Sequence, residues 1–243
     1  MIALIVISFF VAAFAVQLFM RRARRHARLY GADMPQRFHK GHVPRLGGAG
    51  ILLGMGAAWL AAGVTGTDPF NVSWPVKTSM LTLMCIAPAV LGGIVEDMTQ
   101  KVKVRYRLGL TIGSALLVCW LLGLGVSRTG VPLVDGWLAM LPYATVLFAA
   151  LAIGGLPHAF NIIDGYNGLA GTVAVLVCLA ISHVALQVGD RQLAAMVVCL
   201  VGATVGFLVW NYPRGKIFAG DGGAYVWGMV IAVACVTLVQ RHR

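Results

Sequence analysis

The chain has 243 residues, of which 59% are hydrophobic and only 11% are charged, and its mean hydropathy is +0.85. Because soluble domains carry about 25% charged residues, this composition excludes an ordinary water-soluble protein. The formal net charge is +11. No nucleic acid partner is expected, since the lysines and arginines cluster between apolar blocks, as is typical of membrane topology and contact with anionic lipids. The five cysteines lie inside apolar blocks without CxxC spacing, which predicts packing residues.

The apolar residues form eight blocks, each long enough to cross a bilayer as a helix. These blocks cover residues 1–20, 47–64, 78–95, 108–126, 138–155, 170–188, 193–212 and 224–240. The sequence therefore predicts an all-α, polytopic membrane helical bundle with about eight transmembrane helices, forming a single integral membrane domain over residues 1–243. The first block is expected to be a retained helix and no signal peptide, because arginines follow it where a cleavage site would stand.

The basic residues predict how the bundle is oriented. Most of the 19 lysines and arginines fall in the segments 21–46, 96–107 and 213–223, which the positive-inside rule places in the cytoplasm. Segment 156–169 lies on the same side by alternation, and both termini are then expected to be periplasmic. Four acidic residues occur at the cytoplasmic ends of predicted helices, namely Glu96, Asp97, Asp164 and Asp221. The chemistry of the protein is therefore predicted to face the cytoplasm.

The first two cytoplasmic segments contain candidate phosphate and metal ligands. Arg45 follows Pro44 just before a helix, where a guanidinium can hold phosphate with two parallel hydrogen bonds. The alternative is that Arg45 only fixes the orientation of the helix in the membrane as a positive charge on the cytoplasmic side. Glu96 and Asp97 are adjacent carboxylates that repel each other unless a divalent cation or a base intervenes, which suggests Mg²⁺ binding or proton acceptance. The alternative is an exposed pair between Asp97 and Lys101, four residues apart on a helix.

The stretch HAFNIIDGYNGLAG, residues 158–171, interrupts two apolar blocks with polar residues and glycines. On a helix, Asn161, Asp164 and Gly168 would lie near one face, directing an amide and a carboxylate at one ligand. A polar turn between helices is the alternative, and His158 is expected to be structural or interfacial. In the last segment, Asp221 lies in a GDGG turn that leaves room for a phosphate-bound ion.

Four loops with acids, bases and glycines thus meet at one end of the predicted bundle. A nucleoside diphosphate with Mg²⁺ requires this combination, because phosphoryl transfer depends on positioning and charge neutralisation.

The motifs VPRLGG (43–48), GGIVEDMTQKV (92–102), FNIIDGYNGLAG (160–171) and GKIFAGDGG (215–223) resemble those of the polyprenyl-phosphate N-acetylhexosamine-1-phosphate transferases, of the MraY and WecA type. The resemblance implies transfer of a sugar 1-phosphate from a UDP-N-acetylhexosamine to polyprenyl (undecaprenyl) phosphate, with release of UMP and a requirement for Mg²⁺. It also implies a multi-pass protein of the bacterial inner membrane that initiates a cell-surface polysaccharide, such as O-antigen or exopolysaccharide. The resemblance is also compatible with a homodimer.

The resemblance also implies roles for individual residues. Glu96 and Asp97 match the acidic pair, one member of which deprotonates the lipid phosphate, and Asp221, with Asp97, would hold Mg²⁺. The nucleotide-sugar residues would be Asn161, Asp164 and Asn167. Contacts with phosphate are expected, by general similarity, from Arg45, Lys101, Lys103 and Lys216.

Four features depart from the family pattern. Glu96 replaces an aspartate, Asn167 stands where many members have an acid, and GDGGA (220–224) replaces the commoner GD-x-GS. The chain also has about eight spans, where members usually have ten or eleven and a histidine-rich late loop. We therefore expect a chain that lacks the last spans and that loop. The alternatives are a truncated inactive homologue that binds nucleotide-sugar or lipid phosphate and, less favoured because the acids cluster on one face, a transporter.

Overall fold

The computed structural model describes residues 1–23, 43–65 and 75–242. Its helices are α1 (Ile2–Ala23), α2 (Gly47–Thr65), α3 (Val76–Thr99), α4 (Val104–Leu122), α5 (Pro132–Met140), α6 (Pro142–Ile163), α7 (Leu169–Gln187), α8 (Arg191–Asn211) and α9 (Gly220–Arg241). Within these ranges there is no strand, and eight of the helices are long and apolar enough to cross a membrane. The predicted all-α membrane bundle is thus confirmed. Arg24, Arg25 and Arg28, which contribute to the predicted orientation, lie outside the described residues.

The predicted span 138–155 is wrong in its bounds. Prolines at the first turns of α5 and α6 divide the region, so that a short helix, Pro132–Met140, precedes the long one, Pro142–Ile163. At its other end α6 continues through the polar residues that were expected to form a loop, because α6 packs closely along α9. Pro157 of α6 lies where a Cβ on Gly228 of α9 would come within 2.3 Å of it.

Helices α8 and α9 form the centre of the bundle. Almost every residue of α9 from Asp221 to Thr237 is buried, and α8 is buried along most of its length. Helices α1, α2 and α7 pack on α8, while α3 and α6 pack on α9. Small residues allow these backbones to approach, as in other membrane helix pairs. A Cβ on Gly48 of α2, for instance, would fall 2.0 Å from the amide nitrogen of Gly223.

Polar contacts fix the end of α9 that lies away from the acidic motifs. The Gln240 side chain donates to the carbonyl of Gly123 and accepts from the amide of Gly125, both at 2.9 Å. Arg241 donates to Asp190 at 2.9 Å, and Asp190 also caps α8 by accepting from the amide of Leu193. Burial raises the pKa of Asp190, but these hydrogen bonds outweigh it, so the pKa lies below its ordinary value.

Eight helix ends lie at the opposite end of the bundle. They are the first residues of α2, α4, α7 and α9 and the last residues of α1, α3, α6 and α8. All four sequence motifs lie at or beside these ends, as predicted.

Candidate active site

The site is built around the first turn of α9. The first amides of a helix have no partner within the helix, and a side chain at the preceding position usually accepts from one of them. Ala219 occupies that position and cannot do so. Instead Asp97 of α3 accepts from the amides of Asp221 and Gly222, each at 2.9 Å through a different carboxylate oxygen. Asp97 is 1% exposed, so a buried carboxylate of one helix caps another.

Side chains from two further helices contact the Asp221 carboxylate. Arg107 of α4 forms an ion pair with its Oδ2 atom, and the side-chain amide of Asn161 on α6 donates to its Oδ1 atom at 2.7 Å. The sequence predicts that Asp97, Asn161 and Asp221 belong to one site, and the structure brings all three together. Asn161, expected to bind the nucleotide-sugar, lies against Asp221.

Glycines make this close approach of α3 and α9 sterically feasible. Gly220 has φ +71°, and a Cβ there would lie 2.4 Å from both carboxylate oxygens of Asp97. A Cβ on Gly93 of α3 would lie 2.8 Å from the amide nitrogen of Gly222. A side chain at either position would therefore push Asp97 away from the turn.

Glu96 organises the short loop between α3 and α4. It is half-buried, and its carboxylate accepts from the amide of Val102 at 2.7 Å. Lys101 and Lys103 lie exposed on the same loop. The alternative of an exposed pair between Asp97 and Lys101 is wrong, because Asp97 is buried.

Asp164 ends α6 at the entrance to the site. Its side chain is half-buried. Burial raises the pKa of Asp164 to about 6, although the positive charge of Arg45 partly opposes this shift. The Asp164 carboxylate is thus a half-buried acceptor that is influenced by the positive charge of Arg45.

Asn167 joins the loop after α6 to the loop after α8. Its side-chain amide donates to the carbonyl of Pro213 at 3.0 Å. The next residue, Gly168, donates its amide to the Asn211 side chain at 2.6 Å, and Asn211 in turn donates to the carbonyl of Ile217. Asn211 was not predicted. It follows a run of apolar residues at the end of α8. A buried asparagine at such a position indicates that its side chain has a hydrogen-bond partner.

Lys216 is exposed and lies above the Trp210 ring, with its Nζ atom 5.5 Å from the ring centre. The ring holds the ammonium on the rim of the site by a cation–π contact. The Trp210 indole itself donates to the carbonyl of Ala13 on α1 at 2.9 Å. Lys216 therefore contributes positive charge at the surface.

Arg107 and Tyr225 are residues of the site that the sequence did not reveal, and His158, which was expected to be structural or interfacial, lies beside them. The His158 ring contacts the Thr111 hydroxyl at 2.9 Å and meets the Tyr225 ring edge-on at 5.5 Å between centres. Both the Tyr225 hydroxyl and the Arg107 Nε atom are buried, and neither has a hydrogen-bond partner among the described residues. One signal was available, since Tyr225 comes four residues after Asp221 and so shares its helix face.

Within the described part of the chain, no group of three or more His, Cys, Asp or Glu residues is arranged to hold a metal. Mg²⁺, however, is commonly bound by one or two carboxylates together with substrate phosphates. Asp221 supplies oxygen donors of that type, with Asp97 at hydrogen-bonding distance from its amide. The donor set therefore fits Mg²⁺ carried with a diphosphate.

Comparison with known proteins shows the family of this chain. Residues 79–239 match the family model "Glycosyl transferase family 4". The chain is 32% identical over 240 residues to a probable undecaprenyl-phosphate N-acetylglucosaminyl 1-phosphate transferase of Bacillus subtilis, covering 94% of this chain and 62% of that protein. It is 29% identical over 234 residues to a phospho-N-acetylmuramoyl-pentapeptide-transferase of Moorella thermoacetica, covering 91% of this chain and 69% of the relative.

A third relative, a decaprenyl-phosphate N-acetylglucosaminephosphotransferase of Mycobacterium tuberculosis, is 28% identical over 210 residues, or 82% of this chain and 51% of its own length. The chain thus spans roughly half to two thirds of the relatives that it matches. The family model covers the segment from α3 to α9, which contains Asp97, Asn161 and Asp221. The chain belongs to glycosyl transferase family 4.

Proposed function

We propose that this protein transfers an N-acetylhexosamine 1-phosphate from a UDP-sugar to polyprenyl phosphate, forming polyprenyl-diphosphate-sugar and UMP. The observation that carries the proposal is the cluster of Asp97, Arg107, Asn161 and Asp221, drawn from four helices to one end of a membrane bundle. The relatives' names support it, since each describes a phosphosugar transferase. A site at the end of the spans would let a lipid phosphate arrive from the bilayer and a nucleotide from water.

The reaction is an in-line displacement at phosphorus. An oxygen of polyprenyl phosphate attacks the β-phosphorus of the UDP-sugar, and the bond from that phosphorus to the bridging oxygen of UMP breaks. Glu96 is the partly exposed member of the acidic pair, whereas Asp97 is buried, so Glu96 would accept the proton of the lipid phosphate. Arg45 and Arg107 would neutralise the charge spread over the phosphoryl oxygens. Lys101, Lys103 and Lys216 would attract both anionic substrates to the rim.

Mg²⁺ would be held by Asp221 and the diphosphate, where it would neutralise negative charge. The sequence also predicts Asp97 as a ligand, but its oxygens accept from the amides of Asp221 and Gly222, so Asp221 alone is proposed here. Asn161 would orient the Asp221 carboxylate through its hydrogen bond.

The nucleotide would bind beside the loop after α6. The Asp164 carboxylate, half-buried beside Arg45, would accept hydrogen bonds from the base or ribose. Asn167 would shape this loop through its bond to Pro213. We further propose that the site faces the bacterial cytoplasm and that the product starts a cell-surface polysaccharide.

The experiment is a transfer assay with the full chain in nanodiscs, using radiolabelled UDP-N-acetylhexosamines and undecaprenyl phosphate, with and without Mg²⁺. UMP release that requires both lipid and Mg²⁺, and that falls at least about 100-fold in Asp221→Asn, is the expected result. Asp135→Asn is the matched control, because Asp135 pairs with Thr129 in the loop before α5, at the other end of the bundle. UDP-sugar binding without UMP release would instead identify an inactive homologue.

A further inference from the structure

Asp97 lies beneath the turn that carries Asp221, and its contacts suggest a task distinct from contact with a substrate. Its side chain does not reach the surface, since Asp97 is 1% exposed. Its two carboxylate oxygens accept hydrogen bonds from consecutive amides of α9. We propose that Asp97 is a positioning residue: it is the N-terminal cap of α9, supplied by α3, and it sets the place of the Asp221 carboxylate. The inference rests on the proposed function for the role of Asp221.

The local sequence of α9 explains why an external cap is needed. Ala219 has no side-chain acceptor, so the amides of Asp221 and Gly222 would otherwise be left without partners in a buried place. An unpartnered amide in such a place is destabilising. A carboxylate suits this position, because charge-assisted hydrogen bonds are strong and the positive end of the helix dipole favours a negative charge.

Neighbouring backbones hold the same turn from the other side. The amides of Gly47 and Gly48 on α2 donate to the carbonyls of Phe218 and Ala219, each at 2.9 Å. Gly220 then adopts φ +71° with no room for a Cβ between it and Asp97. The turn before Asp221 is therefore held in place by α2 on one side and α3 on the other. The contact from α2 is made by backbone amides, and the contact from α3 is made by the Asp97 side chain.

Two variants separate a cap from a reacting group. Asp97→Asn keeps the size of the side chain but leaves one acceptor oxygen for two amides. Gly220→Ala keeps the Asp97 carboxylate and displaces it, because the new Cβ would lie 2.4 Å from its oxygens. Gly123→Ala is the control for backbone strain, since Gly123 also has positive φ, +65°, but has no neighbouring atom within 4 Å of the added Cβ.

Hydrogen–deuterium exchange on the full chain in nanodiscs tests the cap without substrates. Both Asp97→Asn and Gly220→Ala should raise the exchange rate at residues 221–223 by about tenfold or more, while Gly123→Ala should leave it unchanged. In the transfer assay, both should raise the Mg²⁺ concentration for half-maximal activity, and the double variant should be no worse than the poorer single one. Loss of folded protein alone would lower total activity without moving that concentration.

Unchanged exchange in Asp97→Asn would overturn the inference. So would a fully active Gly220→Ala beside an inactive Asp97→Asn, because Asp97 would then act directly. If the unaltered protein releases no UMP, the proposed function fails, and the exchange measurement still decides whether Asp97 caps α9.

Discussion

Arg107 is the cation paired with Asp221, and the two residues are brought together from helices far apart in sequence. Removing one partner of a partly buried ion pair leaves the other charge uncompensated. We predict that Arg107→Gln loses most transferase activity and lowers the melting temperature, whereas Arg107→Lys retains part of both. Thermal unfolding and UMP release measure the two effects. Arg105→Gln is the matched control, since the Arg105 guanidinium is exposed and lies against the Tyr106 ring; equal losses in both variants would contradict the pairing.

Asp164 predicts a pH dependence of stability. Burial raises its pKa to about 6, so the folded protein binds this proton more tightly than the unfolded chain does. Stability from Asp164 is therefore present below the unfolded pKa of about 4 and is lost as the pH rises through about 6. We predict that Asp164→Asn stabilises the substrate-free protein by about 2 kcal/mol at pH 7.5 and has no such effect at pH 4.

Melting temperatures across that pH range provide the measurement. A gain that is equal at both pH values would show that the carboxylate does not titrate in this window. Asp135→Asn serves as the control of opposite sign, because hydrogen bonds from the Thr129 amide and hydroxyl lower the pKa of Asp135.

At the scale of single residues, the sequence predicts which acids belong to the site but not how they are used. Asp97, Asn161 and Asp221 stand in recognisable polar motifs within an apolar chain, and the structure brings them together. Arg107 is one of four basic residues between positions 101 and 107, and a loop count treats all of them alike. Only the packing of α4 against α3 and α6 selects it.

At the scale of helices, the close contact between α2 and α9 leads to a testable prediction. A Cβ on Gly48 would lie 2.0 Å from the amide nitrogen of Gly223, so Gly48→Ala must separate α2 from α9. We predict a destabilisation of about 2 kcal/mol and a loss of activity, because the displaced turn carries Asp221. Gly56→Ala, in the same helix but with nothing within 4 Å of its Cβ, should be neutral or slightly stabilising.

Thermal unfolding of the two variants, together with transfer assays, measures this difference. Similar behaviour of Gly48→Ala and Gly56→Ala would mean that α2 and α9 do not meet at this point.

The number of membrane-spanning helices followed from hydropathy, whereas the short helix α5 and the helix ends did not. The polar residues His158 and Asn161 fall in a segment that was predicted to be a loop, yet they lie in the last turns of α6. Hydropathy measures the affinity of a side chain for lipid, and these side chains face Thr111, Asp221 and α9 instead. A polar residue with a partner inside the bundle does not end a membrane helix.

For the whole molecule, the basic residues predict that the site faces the cytoplasm. We expect Lys103→Cys to react with a membrane-impermeant maleimide in inside-out vesicles, and Arg128→Cys to react in right-side-out cells. Both positions are exposed and lie at opposite ends of the bundle. Cys235→Ser is a suitable background, because the other four cysteines are buried. The reverse labelling pattern would invert the orientation.

The contacts at the two ends of α9 have a mechanical consequence. Its first turn is tied to Asp97, Arg107 and Asn161, and its last turn to Gly123 and Asp190. A helix attached at one end can slide along its neighbours under load, but one attached at both ends cannot move along its axis without breaking polar contacts at both. Under a stretching force, we expect α9 to detach in a single step, after the outer helices have separated from the bundle.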